Sequence, residues 1–171
     1  FNADGTELFI ISEEEKHNLQ IRKGTLLPEE FRIMRDHVVA TKEMLSELSF
    51  PKKYQNVPLY ASSHHEKLNG KGYPEGLREE ELPLRARIIP IADTFEALTA
   101  KDRPYKKGRM LSESLKIMAF MAKDNEIDKD ILKLFITSGL YKKFAAEHVS
   151  PDQIDEINEH ELIKIFEIVR Q

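Results

Sequence analysis

Residues 64–77 read HHEKLNGKGYPEGL and join two adjacent histidines to a glycine-rich loop. Three of the chain's seven glycines, Gly70, Gly72 and Gly76, lie in this stretch. Imidazole is a common metal ligand, and glycine lets a backbone approach a ligand closely at positive φ angles. An ordinary surface turn would explain the glycines equally well. The histidine pair makes the stretch the first candidate for a functional site.

The segments around this stretch carry apolar residues at helical spacing. We expect helices over 28–48, 57–66, 85–99, 112–123, 128–138 and 159–169. Pro28 suits a first helical position and Gly139 a C-terminal cap. Ser12 with its following acids predicts a further capped helix start, and Ser150 to Gln153 a capping box. A short strand or extended arm at 8–11 stays open. The predicted fold is an all-α helical bundle with a short irregular or extended N-terminal segment.

Composition narrows the classes of function. The 171 residues, 40% of them hydrophobic, suffice for one core and one domain. A net charge of −4 argues against binding a nucleic acid polymer. Without cysteine, any metal site must use nitrogen and oxygen ligands. No apolar run is long enough to span a bilayer, so we expect no membrane contact and a cytoplasmic location.

The candidate ligands are three histidines in or beside apolar helical stretches, together with one aspartate. They are His37, His64, His65 and Asp93. Neighbours on one helix point about 100° apart, so the paired histidines would serve two metal ions, or one metal and one substrate group. A buried aspartate needs a partner, and a metal, an N-cap or a core salt bridge would each supply one. A packed structural histidine explains His37 as well as a ligand does.

A basic connector, 101–109, follows the predicted helix that holds Asp93. It carries five basic residues against one acid, with Tyr105 among them. Such a run is most often a solvated face. Its tyrosine, proline and glycine also suit a phosphate clamp with a stacking platform.

HHEKLNGKGYPEGL, with PLRARIIPIADTFEALTAKDRPYKK at 83–107, closely resembles the HD-GYP family of bacterial cyclic di-GMP phosphodiesterases. The resemblance runs from about Ile21 to Gly139. It implies an HD-domain-like helical bundle with two or three metal ions, commonly iron or manganese. It further implies that a metal-bound hydroxide opens cyclic di-GMP to pGpG, GMP or both. No side chain of this sequence is assigned as a catalytic acid or base by the resemblance.

The resemblance carries roles over residue by residue. Metal ligands are implied at His37, His64, His65 and Asp93. Contact with the nucleotide is implied at Arg103, Tyr105 and Lys106, and shaping of the site at Gly72, Tyr73 and Pro74. Asn69 and Leu68 stand where the family commonly has an aspartate and an aromatic residue, and neither position matches a ligand.

The main departure concerns the family's His-Asp dyad, which should precede His37. No His-Asp pair occurs in this sequence, and the start at Phe1 suggests a C-terminal portion that lacks those ligands. We expect an N-terminal arm and short helix at 1–24, an HD-GYP domain portion at 25–147 and a helical extension at 148–171. Cyclic di-GMP and GGDEF-type proteins are the expected partners, and exposed apolar surface can promote a homodimer. The alternative function is a non-catalytic module that binds a nucleotide or a GGDEF-type partner.

Overall fold

The computed structural model describes residues 11–12, 15–16, 28–100 and 108–167. The chain divides into two compact units, Phe1–His37 and Val38–Gln171. Over the described ranges the regular elements are helices, which confirms the all-α prediction. They are α1 Pro28–Ser46, α2 Val57–Ser62, α3 Leu84–Thr99, α4 Leu111–Lys123, α5 Lys129–Thr137, α6 Leu140–His148 and α7 Glu159–Glu167. Short 3-10 turns occupy Lys52–Tyr54, Glu79–Glu81 and Pro151–Gln153.

The first unit contains the capped start that the sequence predicts at Ser12. The Glu15 backbone N–H donates to the Ser12 hydroxyl at 3.1 Å, and the Ser12 N–H donates to the Glu15 carboxylate at 2.7 Å. This reciprocal pair satisfies two backbone donors at a helix start. Most of the possible strand at 8–11 lies outside the described residues.

Helix α4 is central to the core of the second unit. Its Leu115, Met118 and Ala119 side chains have no solvent exposure. The helix packs against α3, α5 and α7, and α7 adds Leu162 and Phe166 to the same core. The C-terminal segment therefore contributes apolar side chains to the main core.

Helix α6 has no counterpart among the predicted helices. Gly139 adopts the left-handed conformation at φ 71°, as expected of a residue that ends α5. The chain then begins a new helix at Leu140. The buried Tyr141 donates its hydroxyl to Glu159 at 2.7 Å, which joins α6 to the first turn of α7.

Helix α1 buries less of its apolar stripe than its spacing predicts. Val38 is fully buried, whereas Ile33 and Met44 are each 71% exposed. The helix also ends at Ser46, two residues before the predicted Leu48. Among the helices of the described ranges, none is long and apolar enough to cross a membrane.

Candidate metal centre and its glycine-rich loop

The paired histidines lie in a turn, so the prediction that they belong to a helix is wrong. Helix α2 ends at Ser62, where the Ser63 hydroxyl donates to the Leu59 carbonyl at 2.6 Å. Serine side chains that bond to the preceding turn compete with helix continuation. The 100° separation of helical neighbours therefore does not apply. The rings of His64 and His65 instead lie side by side, with centroids 4.2 Å apart.

Three histidines form a cluster that could hold a metal ion. His37, His64 and His65 each offer one ring nitrogen, and these nitrogens lie within 4.8 Å of one another. His37 comes from α1, while His64 and His65 come from the turn after α2. The two histidines of the turn are half-buried. A set of imidazole nitrogens without thiolate suits iron, zinc and similar divalent metals.

The His64 ring is oriented by the backbone of Ala61, three residues earlier. Its Nδ1 lies 2.6 Å from the Ala61 carbonyl oxygen. A carbonyl oxygen only accepts hydrogen bonds, so this contact requires the proton on Nδ1 and leaves the lone pair on Nε2. Metal-binding histidines commonly donate their second nitrogen to a carbonyl or carboxylate in this way. The His64 ring is thus in the form in which Nε2 can bind a metal.

The tyrosine of the GYP motif packs on His65. The two rings stack with centroids 4.8 Å apart and an interplanar angle of 27°. The Tyr73 backbone N–H also donates to the His65 carbonyl at 3.2 Å. These two contacts place the centre of the glycine-rich loop directly against the histidine turn.

Glu66 holds the loop closed, a role that the sequence reasoning did not assign. Its side chain is 4% exposed, and its carboxylate accepts three backbone N–H groups. The donors are Glu75 at 2.7 Å, Gly76 at 3.2 Å and Leu77 at 2.9 Å. A buried carboxylate needs such donors, because an unpaired charge is costly in an apolar interior. An acid directly after a histidine pair and before the glycines was the available signal.

Gly72 is required by close backbone contact. A Cβ at this position would lie 2.3 Å from the Lys67 nitrogen and 2.5 Å from the Glu66 Cα. Such distances are far inside van der Waals contact, so no other residue fits without movement of the backbone. The second glycine of the stretch therefore serves the close approach that the sequence suggested.

Three further hydrogen bonds fix the outer side of the loop. The Lys42 ammonium of α1 donates to the Glu75 carboxylate. The Asn69 side chain donates to the Asp124 carbonyl at 3.0 Å and accepts from the Lys71 N–H at 3.0 Å. The loop is thus tied to α1 and to the end of α4.

Asp93, the fourth predicted ligand, is not brought into the histidine cluster. Asp93 lies on α3 and is exposed, so the expectation that it is buried is wrong. Its carboxylate is not part of the group of ligand atoms formed by the histidines of the described ranges. As a metal ligand it stays a prediction. Arg103, Tyr105 and Lys106 lie outside the described residues.

The family follows from a comparison with known proteins. Residues 13–131 match the family model for the HD domain. The chain belongs to the HD-GYP family. Members of the HD domain family are metal-dependent, and the histidine cluster of this HD-GYP chain can hold a metal ion.

Relatives of this HD-GYP chain bear the names of cyclic dinucleotide phosphodiesterases. The "Cyclic di-GMP phosphodiesterase" of Thermotoga maritima is 38% identical over 96 residues, which cover 56% of this chain and 26% of the relative. The "3'3'-cGAMP-specific phosphodiesterase 3" of Vibrio cholerae is 38% identical over 97 residues, 57% of this chain and 20% of the relative. The "Cyclic di-GMP phosphodiesterase PdeB" of Borreliella burgdorferi is 29% identical over 147 residues, 86% of this chain and 36% of the relative. The chain thus spans about a third or less of the length of these relatives.

Proposed function

We propose that this chain belongs to a metal-dependent phosphodiesterase that hydrolyses cyclic di-GMP to pGpG, GMP or both. The observation that carries the proposal is the three-histidine cluster with the GYP tyrosine stacked on one of its rings. The names of the relatives from Thermotoga maritima and Borreliella burgdorferi support cyclic di-GMP as the substrate. The relative from Vibrio cholerae makes 3'3'-cGAMP the substrate to compare with it.

The residues fit a divalent metal, which we propose to be iron or manganese, with two or three ions in a complete site. His64 would bind through Nε2, because Nδ1 carries the proton that goes to Ala61. The ring nitrogens of His37 and His65 lie within 4.8 Å of each other and of the His64 nitrogen. We keep Asp93 as a fourth proposed ligand. When bound, the metal supplies a Lewis acid that activates a water and neutralises charge on a phosphate.

The protein's own residues would orient the substrate beside this cluster. The loop of Gly72, Tyr73 and Pro74 would form one wall of the site, since Tyr73 is held in place by its stack on His65. The Glu66 carboxylate would keep this wall rigid through its three backbone hydrogen bonds. Arg103, Tyr105 and Lys106 are proposed to bind the nucleotide, because guanidinium and ammonium groups pair with phosphates and a tyrosine ring stacks on bases.

We also propose protein partners and a cellular location for this chain. GGDEF-type proteins and a second copy of the chain are the proposed protein partners. A cytoplasmic location would place the site with its proposed substrate.

The test combines metal analysis with product analysis. The chain is purified without chelator, its iron, manganese and zinc contents are measured, and its action on cyclic di-GMP and 3'3'-cGAMP is followed by chromatography. His64→Ala should lower both metal content and rate, whereas His160→Ala, an exposed histidine on α7, should change neither. Equal loss in both variants, or full activity of His64→Ala, would contradict the assignment. Tight binding of intact nucleotide without product would support the alternative of a non-catalytic nucleotide- or partner-binding module.

A further inference from the structure

The glycine-rich loop begins with the only asparagine of the sequence that precedes a glycine, Asn69 before Gly70. The backbone nitrogen that follows an asparagine can attack the carbon of the side-chain amide and expel ammonia. Glycine hinders this attack least, because it has no Cβ beside the reacting nitrogen and its backbone rotates most freely. Residues with side chains follow the other asparagines, which are Asn2, Asn18, Asn56, Asn125 and Asn158. Local chemistry therefore makes Asn69 the asparagine of this chain most open to deamidation.

In the folded loop, each group that takes part in this reaction is hydrogen-bonded. The Asn69 Nδ2 donates to the Asp124 carbonyl at 3.0 Å, and its Oδ1 accepts the Lys71 N–H at 3.0 Å. The N–H of Gly70, whose nitrogen would attack, donates to the Lys67 carbonyl at 2.8 Å. The bond to Lys67 is lost when this nitrogen gives up its proton, and the bond to Asp124 is lost when Nδ2 leaves. The folded loop therefore protects Asn69.

The partner of the amide belongs to the turn that ends α4. Asp124 follows the last residue of the helix, and Asn125 reverses the chain there with φ 54°. The Leu68 N–H donates to the Glu126 carbonyl of the same turn at 3.1 Å, beside the bond from Asn69. Freeing Asn69 thus requires the start of the loop to separate locally from this turn. The reaction in the folded protein proceeds from that opened fraction of molecules.

The product of the reaction cannot restore the bond to α4. A bond forms between the Gly70 nitrogen and Asn69 Cγ, the Cγ–Nδ2 bond breaks, and the amide proton leaves with Nδ2 as ammonia. Water then opens the five-membered ring to aspartate or to isoaspartate, which carries an extra main-chain carbon. Either product has a carboxylate, which only accepts hydrogen bonds. It would place a negative charge against the Asp124 carbonyl oxygen, where the amide N–H₂ donated before.

We propose that Asn69 is a deamidation site and that its conversion releases the glycine-rich loop from the end of α4. The conversion removes the side-chain bond that joins the loop to Asp124 and leaves an unfavourable contact in its place. The proposal goes beyond the proposed function and does not depend on it, since the reaction needs only water and the chain itself.

The first test follows every asparagine by peptide mass spectrometry during incubation at mildly alkaline pH, in the folded chain and in urea. Digestion at acidic pH keeps the reaction from continuing in the peptides. We expect Asn69 to convert before Asn56, Asn125 and Asn158 in both states. Its conversion should be about tenfold slower in the folded chain, because two hydrogen bonds must break first. Conversion no faster than that of the other asparagines, or at equal rates in both states, would overturn the proposal.

The second test measures the release of the loop by hydrogen exchange at residues 67–70. Asn69→Asp reproduces the aspartate product, and we expect exchange about tenfold faster than in wild type. The control is Asn158→Asp, which adds the same charge at an exposed position where Oδ1 accepts the Glu161 N–H at 3.2 Å. A carboxylate can keep that accepted bond, so exchange at 67–70 should stay at the wild-type rate.

Wild-type exchange in Asn69→Asp, or an equal rise in Asn158→Asp, would overturn the proposal. If Asn69→Asp does not fold, the deamidated wild-type chain is separated by ion exchange and measured in its place. Metal content and phosphodiesterase rate of the fresh wild-type chain test the proposed function separately. Failure of either proposal therefore leaves the other standing.

Discussion

Replacing Gly72 by alanine should displace the GYP loop from the histidine turn. The added Cβ would lie 2.3 Å from the Lys67 nitrogen, where an ordinary contact begins at 3.4 Å. The backbone of one partner must therefore move by about 1.1 Å, the difference of these distances. Tyr73 follows Gly72 directly and stacks on His65, so the shift reaches the proposed metal ligand.

The expected effects differ in size between stability and activity. Overpacking of a close contact costs about 1–3 kcal/mol of unfolding free energy. A misplacement of about 1 Å in a catalytic site can cost about a hundredfold in rate. Gly72→Ala should therefore remain folded at room temperature and lose most of its phosphodiesterase activity.

Gly139→Ala is the matched control. Gly139 has φ 71°, and a Cβ there would meet nothing within 4 Å. Alanine should cost about 1–2 kcal/mol from backbone strain alone, far from the histidine turn in sequence. Thermal unfolding and cyclic di-GMP turnover are measured for both variants. A wild-type rate in Gly72→Ala, or the same loss of rate in both, would refute the reasoning.

Three further predictions concern single ion and hydrogen-bond contacts. Glu66→Gln places an amide N–H₂ against one of the backbone donors of the loop. It should lower the free energy of unfolding, measured with urea, by about 2–3 kcal/mol, and an unchanged urea midpoint would contradict this expectation. Lys42→Ala removes an exposed ion pair with Glu75 and should cost less than about 1 kcal/mol, so a larger loss would mean that α1 holds the loop more strongly than an exposed pair can. Hydrogen bonds from Lys142 and Tyr141 lower the pKa of the Glu159 carboxyl. A lowered pKa in the folded state stabilises the protein above the unfolded value of 4.5, and this stabilisation is lost as the pH falls through the folded value. Glu159→Gln should therefore be less stable than wild type at pH 7, and the difference should shrink as the pH falls below 4.5. A difference that does not change with pH would exclude this cause.

Local chemistry predicted most of the helices. Asp128 is the side-chain cap of α5 and accepts the N–H groups of Asp130 and Ile131, in agreement with the predicted start at 128. Pro28 begins α1 as the sequence indicates. In both cases the decisive bond or φ restriction lies within a few residues, so spacing alone could reveal it.

Contacts between distant segments were beyond the reach of the sequence pattern. Gln153 follows Ser150 at capping-box spacing, yet its amide turns to Thr99 and Arg109, more than forty residues away. The end of α2 at Ser62 depends on a serine hydroxyl that bonds to the preceding turn, and no apolar period marks it. The candidate site shows the same difference between features that the local sequence reveals and contacts that depend on the fold. The histidine pair is visible in the sequence, whereas the role of Glu66 needs the chain to fold back at Gly76.

The hydrogen bonds between the Glu66 carboxylate and the backbone of residues 75–77 limit how the length of the glycine-rich loop can vary. The two carboxylate oxygens meet the N–H groups of three consecutive residues, Glu75, Gly76 and Leu77. Inserting or deleting one residue between Lys67 and Pro74 would move this set of donors out of register or shift Tyr73 away from His65. Point changes at the exposed Lys71 disturb neither contact. Within this loop, new specificity should therefore arise by substitution at fixed length, and libraries that vary loop length should return few folded and active chains.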